Sequence, residues 1–226
     1  MDYNIDIEKK ISFMSGMFHT AQGDKFMDTE SLSVYYLRVT LKDSEPSIWR
    51  DVLVPSNLTL EELHYVIQTV MGWDNCHLHQ FIAGKVFYND GLDSVHNFDD
   101  TEEYDRNERK YTVSDLLPEE KSSIIYEYDL GDSWTHQIVL KKILPADADA
   151  DARQPRCVQG EQACPPEDCG GVWGYTDMLQ AFQHTENSEN DEIVTGFSKD
   201  FNPEHFDIDA INRVLKHLLY DDSNLD

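Results

Sequence analysis

Between Cys157 and Tyr175 the chain runs CVQGEQACPPEDCGGVWGY, gathering three cysteines, two prolines, an acidic pair and four glycines in nineteen residues. Proline removes backbone donors and glycine raises the entropy cost of order, so this stretch is expected to form neither helix nor strand. It is expected to be a specified loop, and loops dense in reactive side chains often carry function. Whatever folds here must present that loop from a more regular scaffold.

The charge limits what the scaffold can meet. Eighteen Lys and Arg stand against 44 Asp and Glu, a net charge of −26. Proteins that grip nucleic acid neutralise phosphates with clustered Lys and Arg. The densest basic groups here, Arg106–Arg109–Lys110 and Lys141–Lys142, lie beside carboxylates or apolar residues. Direct nucleic-acid binding is therefore not expected. The start, MDYNIDIEKKISF, lacks the basic and apolar regions of a secretory signal, and no window has the length of a membrane span. A cytoplasmic location with reduced cysteines is the expectation.

Residues 1–31 are polar and weakly patterned, an arm or short helix ahead of a single domain over 32–222. SVYYLRVTLK and PSIWRDVLVP, joined across Asp43-Ser44-Glu45-Pro46, predict a β-hairpin. Thr59 with Glu62 three residues on is a capping box that opens a helix over 59–71, ended by Gly72. His77–Tyr88 predicts strand, turn at Ala83-Gly84, strand. Ser123–Asp129 and Ser133–Leu144 predict two strands around Leu130-Gly131-Asp132. Residues 89–110 and 145–156, the second holding an Ala-Asp alternation, are expected to be mobile acidic loops. Helical patterns run from Thr176, over about 189–198, and over Asp207–Leu219. The class is α+β: a mainly antiparallel sheet of hairpins, one helix inserted between strands, and a helical C-terminal third packed on the sheet.

Four stretches occur in one order: WRDVLVPSNLTLEELHYVIQTVMGW with HLHQF, YEYDLGDSWTHQIVL, the cysteine stretch, and FSKDFNPEHFDIDAINRVL. Together they resemble the ORF-3-like family of a root-inducing plasmid, whose members are often labelled TnpR, over roughly residues 33–219. The resemblance implies a fold and a set of motif positions, and no established activity. A serine resolvase needs an activated serine among arginines and a basic helix-turn-helix arm. This chain shows neither.

Three groups of residues are candidates for chemistry. Cys157, Cys164 and Cys169, with a histidine as fourth ligand, offer the donor types of tetrahedral zinc, although C-x6-C-x4-C lacks a tight knuckle. The same thiols would also serve simply to pack a loop. His77 and His79 share one strand face, as do Trp134 and His136, with Asp132 at the strand's entry. If the strands neighbour one another, imidazoles and a carboxylate converge for acid–base or metal chemistry. Otherwise a histidine there packs inside the core. Glu167 and Asp168, after Pro165-Pro166 and with Tyr175 nearby, either present a carboxylate to a cation or to one of those histidines, or cap their own turn. Asp129-Leu130-Gly131 is taken as a hairpin turn, and GGVWG lacks the Lys-Ser/Thr of a phosphate loop.

The leading functional expectation is a non-catalytic ligand- or protein-binding module, its groove lined by Trp49, Tyr126, Tyr128, Trp134 and Trp173. The alternative is a metal-dependent or hydrolase-like enzyme using His77, His79, Asp132 and His136. A mobile-element DNA role is disfavoured by the charge.

Overall fold

Alternation of apolar and polar residues from Ser33 onward builds a sheet with one face inward. A computed structural model describes residues 33–91, 105–145, 154–183 and 201–218. Its strands are β1 (Ser33–Leu41), β2 (Trp49–Pro55), β3 (His79–Ala83), β4 (Val86–Asn89), β5 (Asp105–Asn107), β6 (Ser123–Tyr128), β7 (Trp134–Pro145) and β8 (Arg156–Glu161). They form one sheet in the order β5-β4-β3-β6-β7-β1-β2-β8. Every neighbouring pair is antiparallel except β4 and β5, which run parallel. Among the described residues the helices are α1 (Leu60–Met71), α2 (Val113–Leu116), α3 (Gly171–Gln183) and α4 (Ile208–Leu218), with a 3-10 turn at Glu108–Lys110. The class is mixed α+β, and the sheet is mostly antiparallel.

The start of α1 is fixed by its sequence. The Thr59 hydroxyl accepts from the Glu62 amide at 3.2 Å, while the Glu62 carboxylate accepts from the Thr59 amide at 2.8 Å. Gly72 ends the helix in the left-handed region at φ 105°. Leu60, Leu63, Val66, Ile67 and Val70 are buried from this helix, and burying each contributes roughly 1.5–3 kcal/mol. They meet the inward sheet residues Leu37, Val39, Val52, Tyr126, Trp134 and Leu140 in one core.

Arg50, 2% exposed, ties that core to the cysteine stretch. Its guanidinium donates to the carbonyls of Val70 (2.7 Å), Glu161 (2.6 Å) and Gln162 (2.7 Å) and lies over the Phe206 ring. One cation thus joins the end of α1, the end of β8 and the approach to α4. The α4 side chain of Asn212 then closes on β8, accepting from the Cys157 amide and donating to its carbonyl, both at 2.8 Å.

Two expectations change. The cysteine stretch is not wholly a loop: residues 157–161 lie in β8, paired with the edge of β2, and residues from Gly171 start α3. The irregular part is 162–170. Residues 105–107, counted with the first acidic loop, extend the sheet as β5, and the 3-10 turn after them buries Glu108, whose carboxylate meets His79 at 2.9 Å. The arm over 1–31, the helix expected near 189–198 and most of both acidic loops lie outside the described residues.

Candidate metal centre

Three connections meet at one end of the sheet. These are the turn after α1 (residues 73–78), the β6–β7 hairpin turn (129–133) and the irregular segment 162–170. Antiparallel pairing of His79 with Tyr128 carries the preceding residues of the first connection alongside the hairpin turn, and the Asp129 amide donates to the Leu78 carbonyl at 2.9 Å. The third connection is tied to the second through Asp132, whose carboxylate accepts from the Gly170 amide at 2.9 Å. A side chain at Gly171 would place its Cβ 2.6 Å from the Asp132 carbonyl oxygen, and φ there is +68°, so only glycine allows this approach.

His77 stands at the centre. Its Nε2 lies 3.2 Å from Asp168 Oδ1, 3.7 Å from Asp129 Oδ2 and 3.7 Å from Glu167 Oε2. Nε2 is buried, as is Glu167 Oε2, and neither makes a hydrogen bond. The other oxygens of two of these carboxylates are held fast. Glu167 Oε1 accepts from the Asp74 amide at 2.8 Å and from the Tyr128 hydroxyl at 3.0 Å. Asp129 Oδ1 accepts from the Gly131 amide at 2.9 Å and the Asp132 amide at 3.3 Å. Each carboxylate is therefore pinned by one oxygen and turns the other toward the imidazole. Burial pushes the Glu167 carboxyl up from its ordinary range, partly offset by the Asp74 amide and the Tyr128 hydroxyl.

The turn that carries His77 is equally constrained. Asn75, at φ +53°, donates its amide to Gln68 Oε1 at 2.9 Å, and its side-chain oxygen meets His64 Nε2 at 2.8 Å. Gln68 in turn donates to the Tyr126 hydroxyl, which meets His64 Nδ1 at 2.8 Å. This buried ring of polar groups bolts the turn to α1. Asp129 and Asp168 are themselves left-handed at φ +54°, a conformation that costs a non-glycine residue energy and clusters at functional sites. One ligand atom from each of Cys76, His77 and Glu167 also lies within 4.8 Å of the others, as does one from each of His77, Asp129 and Asp168.

The remaining residues singled out in the sequence do not join this group. His79 bonds to the buried Glu108 carboxylate and stacks on the His64 ring, centroids 3.5 Å apart. His136 is wholly buried and accepts from the Trp73 indole at 3.4 Å. Burial pulls its pKa down to about 4. Asp132 serves as the anchor of the third connection. His77 and His79 were expected on one strand face, but β3 begins only at His79; His77, two residues before it, lies among the loops, while His79 meets Glu108 and stacks on His64.

Trp134 and Tyr175, expected to touch a ligand, are buried in the core at 0% and 2% exposure. Tyr126 and Tyr128 are buried with them, whereas Trp173 is 85% exposed, so these aromatics line no common groove. Their apolar rings complete the sheet–helix core, which is the stronger demand on them.

Among the described residues, no group of three ligand atoms within 4.8 Å unites Cys157, Cys164 and Cys169. All four cysteines are free thiols. Cys157 faces the core, its thiol pushed up to about 11 by burial, and burial pushes Cys169 up to about 12. Cys164 Cβ would stand 3.4 Å from a side chain at Gly72. Sequence reasoning missed Asp129 as a site residue and took Tyr128 for a groove aromatic. The signal that could have found Asp129 was its turn position two residues before Gly131, facing the strand that His77 precedes.

Comparison with known proteins adds relatives without an assigned activity. The chain is 32% identical over 187 residues to an uncharacterised protein of Sinorhizobium fredii, covering 82% of this chain and 92% of the relative. It is similar to the crystal structure of a protein of unknown function from Methanosarcina mazei Go1, with a TM-score of 0.67 and 34% identity over 79% of this chain and 97% of that one. No helix among the described residues is long and apolar enough to cross a membrane. The plasmid pRiA4b ORF-3-like protein family matches residues 33–210, most of the chain, and the protein belongs to that family.

Proposed function

We propose that the protein binds a divalent transition-metal ion through His77, Asp129, Glu167 and Asp168, as a metal-dependent module. The observation that supports this is a pair of buried atoms that make no hydrogen bond, His77 Nε2 and Glu167 Oε2, facing each other at 3.7 Å. A buried polar atom without a partner is costly, and three carboxylates around one imidazole leave an excess of negative charge that a cation would neutralise. The spacing suits an ion. Atoms held about 2.1 Å from a tetrahedral centre stand about 3.4 Å apart; the three distances from His77 Nε2 run from 3.2 to 3.7 Å, and His77 joins two groups of ligand atoms within 4.8 Å, one with Asp129 and Asp168 and one with Cys76 and Glu167.

An imidazole among oxygens favours zinc, manganese or iron over magnesium or calcium. Asp168 is 77% exposed along its side chain, so that side of the centre is open to solvent and to a further ligand. A bound ion of this class would supply Lewis acidity toward a carbonyl or phosphoryl oxygen or an activated water. The residues themselves hold and orient. Tyr128 and the Asp74 amide fix Glu167, and the hairpin amides fix Asp129.

A second reading has its own support, because the same distances fit a protonated His77 clamping three carboxylates. Protein stripped with chelator and titrated with Zn²⁺, Mn²⁺ and Ca²⁺ by calorimetry separates the two. The metal reading expects one equivalent of a transition ion to bind, with a rise in Tm through linkage, and both lost in His77→Ala and Glu167→Gln. Absence of saturable binding by any of the three ions would leave the imidazolium clamp and refute the metal centre.

A further inference from the structure

We infer that Cys76 supplies a thiolate to the same ion and makes the retention of that ion sensitive to peroxide. This rests on the proposed metal centre and adds both a ligand and a regulation to it. Of the four thiols, Cys76 alone shares a group of ligand atoms within 4.8 Å with His77 and Glu167, among the described residues. It is also the exposed one, whereas Cys157 is buried and Cys164 and Cys169 are half-buried.

Its position is built. The Cys76 amide donates to the Tyr128 hydroxyl at 3.1 Å, and its sulfur lies 3.6 Å from that same oxygen. The Tyr128 hydroxyl in turn donates to Glu167 Oε1, so one buried phenol sets the cysteine backbone and the carboxylate relative to each other. Asn75, immediately before Cys76, is locked onto α1 by Gln68 and His64. The thiol therefore sits on a rigid turn, beside two buried atoms that make no hydrogen bond, on the side reached by solvent.

Thiolate with imidazole and carboxylate selects a zinc-class ion and discriminates against magnesium and calcium. It also gives the centre an oxidisable ligand. The thiolate sulfur attacks one oxygen of hydrogen peroxide; an S–O bond forms and the O–O bond breaks. Sulfur loses two electrons, and the departing hydroxide takes a proton to leave as water. The sulfenate that results is a poorer ligand, and the ion dissociates. A dithiol reductant restores the thiol, yielding its own disulfide and water.

The test uses the full chain loaded with Zn²⁺ and treated with hydrogen peroxide. Released zinc is followed with a colorimetric chelator, and the state of Cys76 by mass spectrometry after sulfenate trapping. Zinc release should track oxidation of Cys76 and reverse with dithiothreitol. Cys76→Ser should bind zinc about tenfold more weakly or worse and retain what it binds under peroxide, while Cys164→Ser should behave as the wild type. Wild-type zinc affinity in Cys76→Ser, or zinc retained by wild-type protein whose Cys76 is sulfenylated, would overturn the assignment of Cys76 alone. Failure of the wild type to take up zinc would overturn the centre and this ligand together.

Discussion

The buried ring of His136 gives the fold a defined acid sensitivity. His136 is wholly enclosed beneath Trp73, beside its cross-strand partner Tyr126. Burial holds its pKa at about 4, below the ordinary 6.5. Unfolded chains take up a proton at this residue near pH 6.5, and the folded protein only near pH 4. In that window the unfolded state carries more protons, so stability rises with pH and is lost as pH falls. Each pKa unit is worth about 1.4 kcal/mol, so a drop from 6.5 to about 4 amounts to about 3 kcal/mol.

His64, whose pKa burial holds well below 6.5, acts in the same direction, and Glu167, raised by burial, acts in the opposite one. Both remain in a His136→Gln variant and cancel from the comparison. The amide of Gln keeps an acceptor for the Trp73 indole. Urea unfolding of both proteins, in chelator, at steps from pH 7.5 to pH 4 is the assay. The wild type should lose up to about 3 kcal/mol more than the variant over that range. Parallel curves would refute the reasoning, because they would mean that the ring titrates as it does in the unfolded chain.

Three other substitutions probe the site and its supports. Tyr128→Phe removes the donor to Glu167 Oε1 and should weaken zinc binding about 10–100-fold in a competition titration with stoichiometry unchanged; unaltered affinity would deny Tyr128 a part in orienting Glu167. Gly171→Ala drives a Cβ to 2.6 Å from the Asp132 carbonyl at φ +68°, and should lower Tm and zinc affinity together, whereas a variant with wild-type Tm would show that the third connection is not held as described. Thr59→Ala removes the cap of α1 and should cost about 1 kcal/mol in urea unfolding without changing metal affinity; a loss of binding would mean that the site depends on the start of the helix as well as its end.

What the sequence made visible was local. The Thr59–Glu62 capping box marked the helix to within a residue, because both halves of that signal lie on one turn of chain. Alternation over Ser33–Leu41 marked a strand with one buried face, for the same reason. A meeting of Glu167 or Asp168 with a histidine was also legible, since a stiff Pro-Pro segment projects the residues after it. Which histidine was not. The i, i+2 spacing would put His77 and His79 on one face of a strand, but it shows neither that β3 begins only at His79 nor what lies across from each.

That choice belongs to the sheet order and register. With β3 beside β6, and His79 opposite Tyr128, His77 falls past the strand ends, where the 129–133 turn and the segment 162–170 bring the carboxylates of Asp129, Glu167 and Asp168 to it. His79 falls one step inside, where α1 brings His64 and the 3-10 turn brings Glu108. His136, opposite Tyr126, falls deeper still and is sealed by Trp73. A displacement of two residues along one strand thus separates a loop-end ligand from an inner ion pair. The same logic explains why Asp129 was passed over. As a turn residue it needed no other explanation, yet the turn that tolerates its positive φ is what aims its second oxygen at His77. Turn chemistry and site chemistry are one constraint there, and only the neighbouring strand distinguishes them.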